Sequence, residues 1–158
     1  MIRFVCPLIL VHDIYASRKF YEDVLGQKVR DDFGENVFFE GGFALHLREH
    51  YECLPGMDCI HKSESFRNDG EFYFESDNIE ESYEKIKAAG VEFIHEIQVQ
   101  PWQQRVIRFF DLDKHIVEVG ETMNATVERL YMAGDDVEAI ALKTSLAKDF
   151  IEHILNQI

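Results

Sequence analysis

The sequence predicts an α+β protein built from two βαβββ modules, followed by a helical extension at the carboxyl end. The main observation is a repeat: a strand-like run that leads into an amphipathic helix and a closing glycine occurs at 6–26 and again at 71–90. Each copy is followed by three short strand-like runs. A repeat at this period is typical of two copies of one supersecondary unit with a shared core. We therefore expect mixed sheets that curl around a cavity to which both modules contribute.

The first module covers residues 3–50. Its strand 6–13 ends at Asp13, a residue suited to cap the helix predicted over 14–25, and Gly26 suits the left-handed position after a helix. Glycines then separate three predicted strands, at 27–33, 36–40 and 43–50. In the last strand, alternation predicts that Ala44, His46 and Arg48 share one face.

The second module covers residues 69–121 and follows a connection at 51–68 that lacks a clear period. Its helix opens at Asn78, and Glu81 stands where a capping box needs a residue that reaches back to the N-cap amide. The remaining strands are predicted at 91–99, 104–110 and 115–120. A turn at 111–114 joins the last two and forms a closing hairpin.

The region 122–158 contains helical patterns alone, at 124–133, 137–142 and 146–155. We predict one domain at 1–121, formed by the two modules and their connection, and a separate helical tail at 122–158. The tail resembles a helix-turn-helix, but the stretch 127–152 carries three basic against six acidic residues, which phosphates would repel. We therefore expect the tail to pack against a sheet edge or another subunit rather than to bind DNA.

Composition narrows the classes of partner. The chain has 158 residues, 46% of them hydrophobic, which suffices for one real core. Its formal charge of −14 argues against nucleic acid and anionic membranes as main partners. Three cysteines without a CxxC pair argue against a disulfide framework, and the first residues lack the pattern of a secretory signal. The expected location is the cytoplasm.

Two segments carry a family resemblance. The hairpin sequence 105–119 and the opening strand and helix from Val11 to Gly26 resemble the vicinal oxygen chelate superfamily. That superfamily contains glyoxalase I, bleomycin-resistance proteins, fosfomycin-modifying enzymes and extradiol dioxygenases. The resemblance implies a small-molecule substrate or ligand and a homodimer in which modules pack on one another. It is specific for the fold, while the chemistry within the superfamily is diverse.

The resemblance also implies where a divalent metal would bind. Its ligand positions fall on Cys6, His46, Glu71 and Glu118. Glu118 has the usual residue type, whereas a histidine is expected at Cys6 and Glu71, and a glutamate or glutamine is common at His46. An imidazole with two carboxylates suits Zn²⁺, Ni²⁺, Mn²⁺ or Fe²⁺. With a metal, Glu71 or Glu118 has the chemistry of a general base on a carbon acid.

A metal-free interpretation remains open. His46 and Glu118 can instead hydrogen-bond each other in a polar cavity, with Glu71 at its rim, and Cys6 can be a small apolar filler. The other histidines, His50 and His95 among them, show no ligand-like spacing and are predicted at surface or turn positions.

Five further residues are predicted to bind substrate. Strand alternation assigns Arg105, Ile107 and Phe109 to the face of Glu118, although a shift of register would reverse this. Tyr73 shares the face of Glu71, and Trp102 lies on the loop before a strand. The alternatives are that the arginines pair with surplus carboxylates and that Trp102 fills a dimer interface. The predicted substrate-binding set is Arg48, Tyr73, Trp102, Arg105 and Phe109.

The leading functional hypothesis is a metal-assisted lyase or isomerase related to lactoylglutathione lyase, acting on a small oxygen-rich substrate. The alternative is a metal-free protein that sequesters a drug or metabolite, as bleomycin-resistance proteins do. A ligand-responsive regulator that uses the tail is a third hypothesis. A metal analysis distinguishes the first two.

Overall fold

The computed structural model describes residues 3–55 and 70–157, and the chain clusters into two compact units. Unit 1 comprises residues 1–67 together with 111–114, and unit 2 comprises 68–110 together with 115–158. The predicted α+β class is confirmed, since each unit contains one βαβββ module with an open four-stranded mixed sheet. The cavity predicted between the modules stays a prediction.

Unit 1 follows the predicted order up to its last strand. Its elements are β1 (Leu8–Val11), α1 (Ile14–Asp23), β2 (Val29–Asp32), β3 (Asn36–Phe39), β4 (Ala44–Leu47) and α2 (Arg48–Glu52). The sheet order is β1-β4-β3-β2, with β1 parallel to β4. Asp13 caps α1 by accepting a hydrogen bond from the Ala16 amide at 2.9 Å, as predicted.

One face of this sheet is covered by α1. Tyr21 on the helix is fully buried and contacts the rings of Phe39 and Phe43, with centroids 5.9 and 5.3 Å away. Because side chains alternate along a strand, Phe39 and Leu45 face α1 while His46 faces away from it. Leu10 lies beside His46 in the parallel register and therefore shares its face.

The prediction that the fourth strand continues to residue 50 is wrong. The strand ends at Leu47, and α2 begins at Arg48. The side chain of Arg48 is therefore positioned by a helix rather than by alternation with His46. Most of the predicted connection at 51–68 lies outside the described residues.

The turn at 111–114 clusters with unit 1 although it joins two strands of unit 2. The Tyr21 hydroxyl donates to Asp111 Oδ2 at 2.9 Å, and burial together with Asp111 raises the pKa of Tyr21. Asp113 accepts from the His12 amide at 2.9 Å and from the Ser17 hydroxyl at 3.2 Å. These contacts hold the turn, in which Lys114 adopts the left-handed conformation with φ of 67°.

Unit 2 contains the second module and the helical tail. Its elements are β5 (Glu71–Ser76), α3 (Ile79–Ala88), β6 (Glu92–Val99), β7 (Arg105–Phe110), β8 (Ile116–Glu121), α4 (Met123–Met132), α5 (Val137–Thr144) and α6 (Lys148–Leu155). The sheet order β5-β8-β7-β6 repeats that of unit 1. Asn78 caps α3 through the Glu81 amide at 3.1 Å, but the Glu81 carboxylate accepts from the Asn78 side chain rather than from its backbone.

The three helices of the tail enclose a small core of their own, formed by Val127, Leu130, Ile140, Ile151 and Ile154. Asp136 caps α5 by accepting a hydrogen bond from the Ala139 amide, and Ser145 ends that helix in the left-handed conformation. Within residues 3–55 and 70–157, every helix falls short of the length and apolarity that a membrane crossing requires.

Candidate functional site

One face of the unit 2 sheet carries a continuous group of polar side chains. Tyr73 and Arg108 lie directly opposite Glu118 on the neighbouring strands, and His95 lies opposite Arg108. Directly paired residues share a face, and alternation adds Glu71 and Glu75 from β5. We call this set the polar face: Glu71, Tyr73, Glu75, His95, Arg108 and Glu118.

Arg108 is the central cation of the polar face. Its Nε donates to Glu71 Oε2 at 2.9 Å, its Nη2 is ion-paired with Glu118 Oε2, and its Nη1 lies 3.3 Å from His95 Nε2. Hydrogen bonding to Glu71 raises the pKa of the Arg108 guanidinium above its ordinary value. The guanidinium, which stays charged in proteins, therefore pairs with two carboxylates at once.

Glu118 is 4% exposed. Burial raises the pKa of its carboxyl above the ordinary value; Arg108 opposes this shift and the nearby charge of Glu71 adds to it. The site thus holds a buried carboxylate whose charge depends on one arginine.

The predicted face is wrong for Arg105, Ile107 and Phe109. The observed register pairs Glu118 with Arg108, so these three residues point to the opposite side of the sheet, towards α3. Phe109 is fully buried and contacts the ring of Phe93, with centroids 6.3 Å apart. A shift of one residue in register exchanges the faces of a whole strand.

Arg105 instead belongs to an ion-pair network around Glu121, the last residue of β8. The Glu121 carboxylate accepts from Arg105 Nη2 at 2.7 Å, from Arg129 Nη2 at 2.9 Å and from the Thr126 hydroxyl at 3.1 Å. Arg105 is also ion-paired with Glu80 of α3. Burial by itself raises the pKa of Glu121, but the two arginines outweigh it and hold that pKa below its ordinary value.

Tyr73 and Trp102 are linked through Gln104, which was not among the residues predicted from the sequence. Gln104 Nε2 donates to the Tyr73 hydroxyl oxygen at 2.7 Å, and Gln104 Oε1 accepts from Trp102 Nε1 at 2.9 Å. The Tyr73 hydroxyl in turn donates to Glu75 Oε1 at 2.8 Å. Burial raises the pKa of Tyr73 to about 12.

In unit 1, His46 is 8% exposed and lies between two polar neighbours. Its Nδ1 is 2.9 Å from Asn36 Nδ2, and its Nε2 is 2.8 Å from His50 Nδ1. The rings of His46 and His50 are stacked, with centroids 5.1 Å apart. Burial, aided by His50, lowers the pKa of His46, so its imidazole is neutral near neutral pH.

The other predicted residues of unit 1 are less constrained. Cys6 is a partly exposed free thiol two residues before β1 begins. Arg48 lies 3.8 Å from Glu52 on the same helix, as the alternative interpretation of the arginines expected. His46 and Glu118 belong to different units, and their predicted convergence stays a prediction.

Two carboxylates of the polar face, those of Glu71 and Glu118, are engaged by Arg108 in this structure. A metal needs the carboxylate oxygens as ligands, but Arg108 already engages Glu71 and Glu118. Among residues 3–55 and 70–157, no group of three or more His, Cys, Asp or Glu side chains is arranged to hold an ion.

Two residues important here were missed from sequence: Arg108 and Gln104. Arg108 was missed because the sequence pattern does not show which face of β7 carries the site, and the face of Arg105 was predicted instead. His50 is exposed, as predicted, but its contact with His46 was not foreseen, because the helix α2 that carries it was not recognised. Gln104 carries no local pattern that distinguishes it from Gln103.

Comparison with known families agrees with the repeat, the sheet order and the closing hairpin. A family model described as a glyoxalase-like domain matches residues 4–124 of the chain. The chain belongs to the glyoxalase-like domain family. The predicted resemblance to the vicinal oxygen chelate superfamily is confirmed. Comparison with curated proteins gives no match.

Several solved structures resemble the chain over most of its length. A protein of unknown function from Agrobacterium tumefaciens str. C58 is 40% identical, with a TM-score of 0.65, covering 78% of this chain and 96% of that one. Lactoylglutathione lyase from Agrobacterium tumefaciens is 22% identical, with a TM-score of 0.56 and coverage of 75% and 92%. The fosfomycin resistance protein FosX from Listeria monocytogenes, complexed with Mn(II) and sulfate ion, is 21% identical, with a TM-score of 0.59 and coverage of 82% and 99%. The last two likenesses concern the fold.

Proposed function

We propose that this glyoxalase-like protein binds a small oxygen-rich molecule on its polar face, without a divalent ion held by Glu71 and Glu118. The observation that supports the proposal is Arg108, whose guanidinium engages both carboxylates. A cation bound at these oxygens would have to displace a permanent positive charge and leave it partly buried beside the ion. That arrangement is electrostatically unfavourable in a medium of low dielectric constant.

The polar face offers complementary groups for such a ligand. Arg108 and the Tyr73 hydroxyl are donors, and Glu71 and Glu75 are acceptors towards ligand hydroxyl or amine groups. Tyr73 is 47% exposed and therefore accessible, whereas Glu118 is nearly buried and sets the position of Arg108. Trp102, 42% exposed, offers an aromatic surface at the end of the hydrogen-bonded chain.

A second candidate is the metal-assisted lyase, in which Glu71 or Glu118 acts as general base. His46 favours it, since a buried neutral imidazole is the form that binds metal ions. The Mn(II) complex of FosX and the lactoylglutathione lyase among similar structures also support this candidate. In that function His46, Glu71, Glu118 and Cys6 retain their predicted roles as ligands, and Arg108 has to leave the carboxylates.

Metal content separates the two candidates. Protein purified without a metal-affinity tag is analysed for Zn, Ni, Mn and Fe, and is then titrated with Mn²⁺ and Zn²⁺. The metal-free proposal expects far less than one ion per chain in the wild type and tighter Mn²⁺ binding in Arg108→Gln, which frees the carboxylates. Arg30→Gln is the matched control, because Arg30 is an exposed arginine of unit 1 paired with Asp31. One ion per chain in the wild type, lost in Glu118→Gln, would overturn the proposal in favour of the lyase.

Ligand binding is tested with three named compounds by calorimetry: S-lactoylglutathione, fosfomycin and bleomycin. The proposal expects that at least one binds and that Tyr73→Phe weakens its affinity about tenfold, the usual loss of one hydrogen bond. Tyr83→Phe is the matched control, because Tyr83 of α3 contacts Phe93 of β6 on the side of the sheet opposite to the polar face. Equal affinities in the two variants would remove Tyr73 from the site.

A homodimer and a cytoplasmic location complete the proposal. Each described sheet has two edge strands, β1 and β2 in unit 1 and β5 and β6 in unit 2, and exposed edges favour cover by another chain. Sedimentation that shows a monomer at all concentrations would exclude the dimer.

A further inference from the structure

The Gln104 side chain engages both amide hydrogens and its carbonyl oxygen within the protein. Its two amide hydrogens go to the Tyr73 hydroxyl oxygen and to the Glu121 carbonyl oxygen, each at 2.7 Å. Its carbonyl oxygen accepts from Trp102 Nε1 at 2.9 Å. The residue is 3% exposed. A buried amide with its oxygen and both hydrogens engaged is held rigidly.

These partners allow one orientation of the amide. In the flipped orientation, Oε1 would face the carbonyl oxygen of Glu121, which is also an acceptor, and Nε2 would face the donor Trp102 Nε1. Both contacts would be repulsive. The Tyr73 oxygen therefore accepts a hydrogen bond from Gln104, and the phenolic hydrogen must point elsewhere.

Gly120 provides the space in which the Tyr73 ring lies. A Cβ atom at Gly120 would approach Gln104 Nε2 to 2.8 Å and the ring and hydroxyl of Tyr73 to 3.0 Å. The backbone of Gly120 has no positive φ, so glycine is required here for space and not for conformation. Gln104 and Gly120 thus restrict the same phenol from two sides.

We infer that Gln104 is a positioning residue that holds the Tyr73 hydroxyl as a hydrogen-bond donor towards ligand oxygen on the polar face. In the free protein the phenolic hydrogen is donated to Glu75 Oε1 at 2.8 Å. A ligand that presents a carbonyl, carboxylate or phosphonate oxygen takes the place of Glu75 as acceptor. The inference rests on the proposed function, because it takes the polar face as the ligand site.

The electrostatic environment agrees with this geometry. Burial raises the pKa of Tyr73 to about 12, and the hydrogen bond from Gln104 opposes that rise. The phenol stays protonated at neutral pH and can donate. Removal of the Gln104 donor should therefore move the Tyr73 titration to still higher pH.

The test uses the whole protein labelled with ¹³Cζ tyrosine, with Tyr73 assigned by Tyr73→Phe. Gln104→Met preserves the length of the side chain and removes both donors. Gln98→Met is the matched control, because Gln98 is an exposed glutamine on the adjacent strand β6. We expect the Tyr73 resonance to shift at neutral pH, and its titration midpoint to rise, in Gln104→Met and not in Gln98→Met, while the other tyrosine resonances stay in place.

A Tyr73 resonance and midpoint in Gln104→Met that match those of the wild type would overturn the inference. A general loss of structure is recognised separately, because it would move all the tyrosine resonances. Gly120→Ala is a second variant: its added methyl group crowds the same phenol, so the Tyr73 resonance must shift in it as well. The proposed function is judged separately, by the calorimetry with S-lactoylglutathione, fosfomycin and bleomycin. Because the resonance is measured without ligand, failure of either idea is recognised independently of the other.

Discussion

Replacement of Glu121 by glutamine tests the network that joins β8, β7 and α4. Glu121 is 1% exposed, and its carboxylate accepts hydrogen bonds from two arginines and one threonine. Glutamine keeps the shape of the side chain but removes the charge and places an NH₂ group against two cations. Removing one partner of a buried ion pair costs about 3–5 kcal/mol.

The expected cost is below that range, because the Arg105 and Arg129 side chains remain 21% and 28% exposed and regain some hydration. We expect the free energy of unfolding to fall by about 2–3 kcal/mol. For a chain of this size, that corresponds to a melting temperature lower by ~5–10 °C. Thermal and urea unfolding followed by circular dichroism measure both quantities.

Glu80→Gln is the matched control for this variant. Glu80 is ion-paired with the same Arg105, but its side chain is 61% exposed, so water replaces the lost contact. The control should lose less than ~1 kcal/mol. Equal stabilities of the two variants, or a loss below ~0.5 kcal/mol in Glu121→Gln, would refute the assignment of Glu121 as the centre of the network.

The pH dependence provides a further check on Glu121. Its pKa is lower in the folded than in the unfolded protein, so its ion pairs stabilise the fold above the ordinary value of 4.5. This contribution disappears as the pH falls through the folded-state pKa. The stability difference between wild type and Glu121→Gln should therefore narrow below pH 4.5. A stability difference between the two proteins that stays constant below pH 4.5 would contradict the role given to the Glu121 ion pairs.

Three further variants test the packing of each unit by thermal and urea unfolding. Tyr21→Phe removes a buried donor to Asp111 and should destabilise the protein by about 1–3 kcal/mol, whereas no change would mean that the 111–114 turn is held by other contacts. Lys114→Gly relieves the left-handed backbone of a lysine at φ of 67° and should stabilise the protein by ~0.5–1 kcal/mol. A lower stability of this variant would show that contacts of the lysine side chain outweigh the strain of its backbone. Ile140→Ala opens a cavity in the core of the tail and should cost about 2–5 kcal/mol, an effect that would be absent if the three helices were only loosely associated.

Local features of the sequence predicted the modules and the helices of the tail. Alternation, helical periodicity and glycines such as Gly26 and Gly90, both left-handed in the structure, are set by residues close along the chain. The caps at Asp13 and Asn78 were predicted for the same reason. Prediction failed where two local patterns competed, as at Arg48, where a helix replaces the end of a strand.

The candidate site depends on contacts between strands, which the sequence does not encode locally. Arg105 and Arg108 are equally plausible from the pattern, and only the pairing of Arg108 with Glu118 decides which arginine reaches the polar face. Likewise, Gln104 acquires its role from Tyr73 and Glu121, which are distant in sequence. Side-chain direction alternates with a period of two, so the sequence determined that β7 has two different faces. The hydrogen-bond register with β8 decided which of them carries the site.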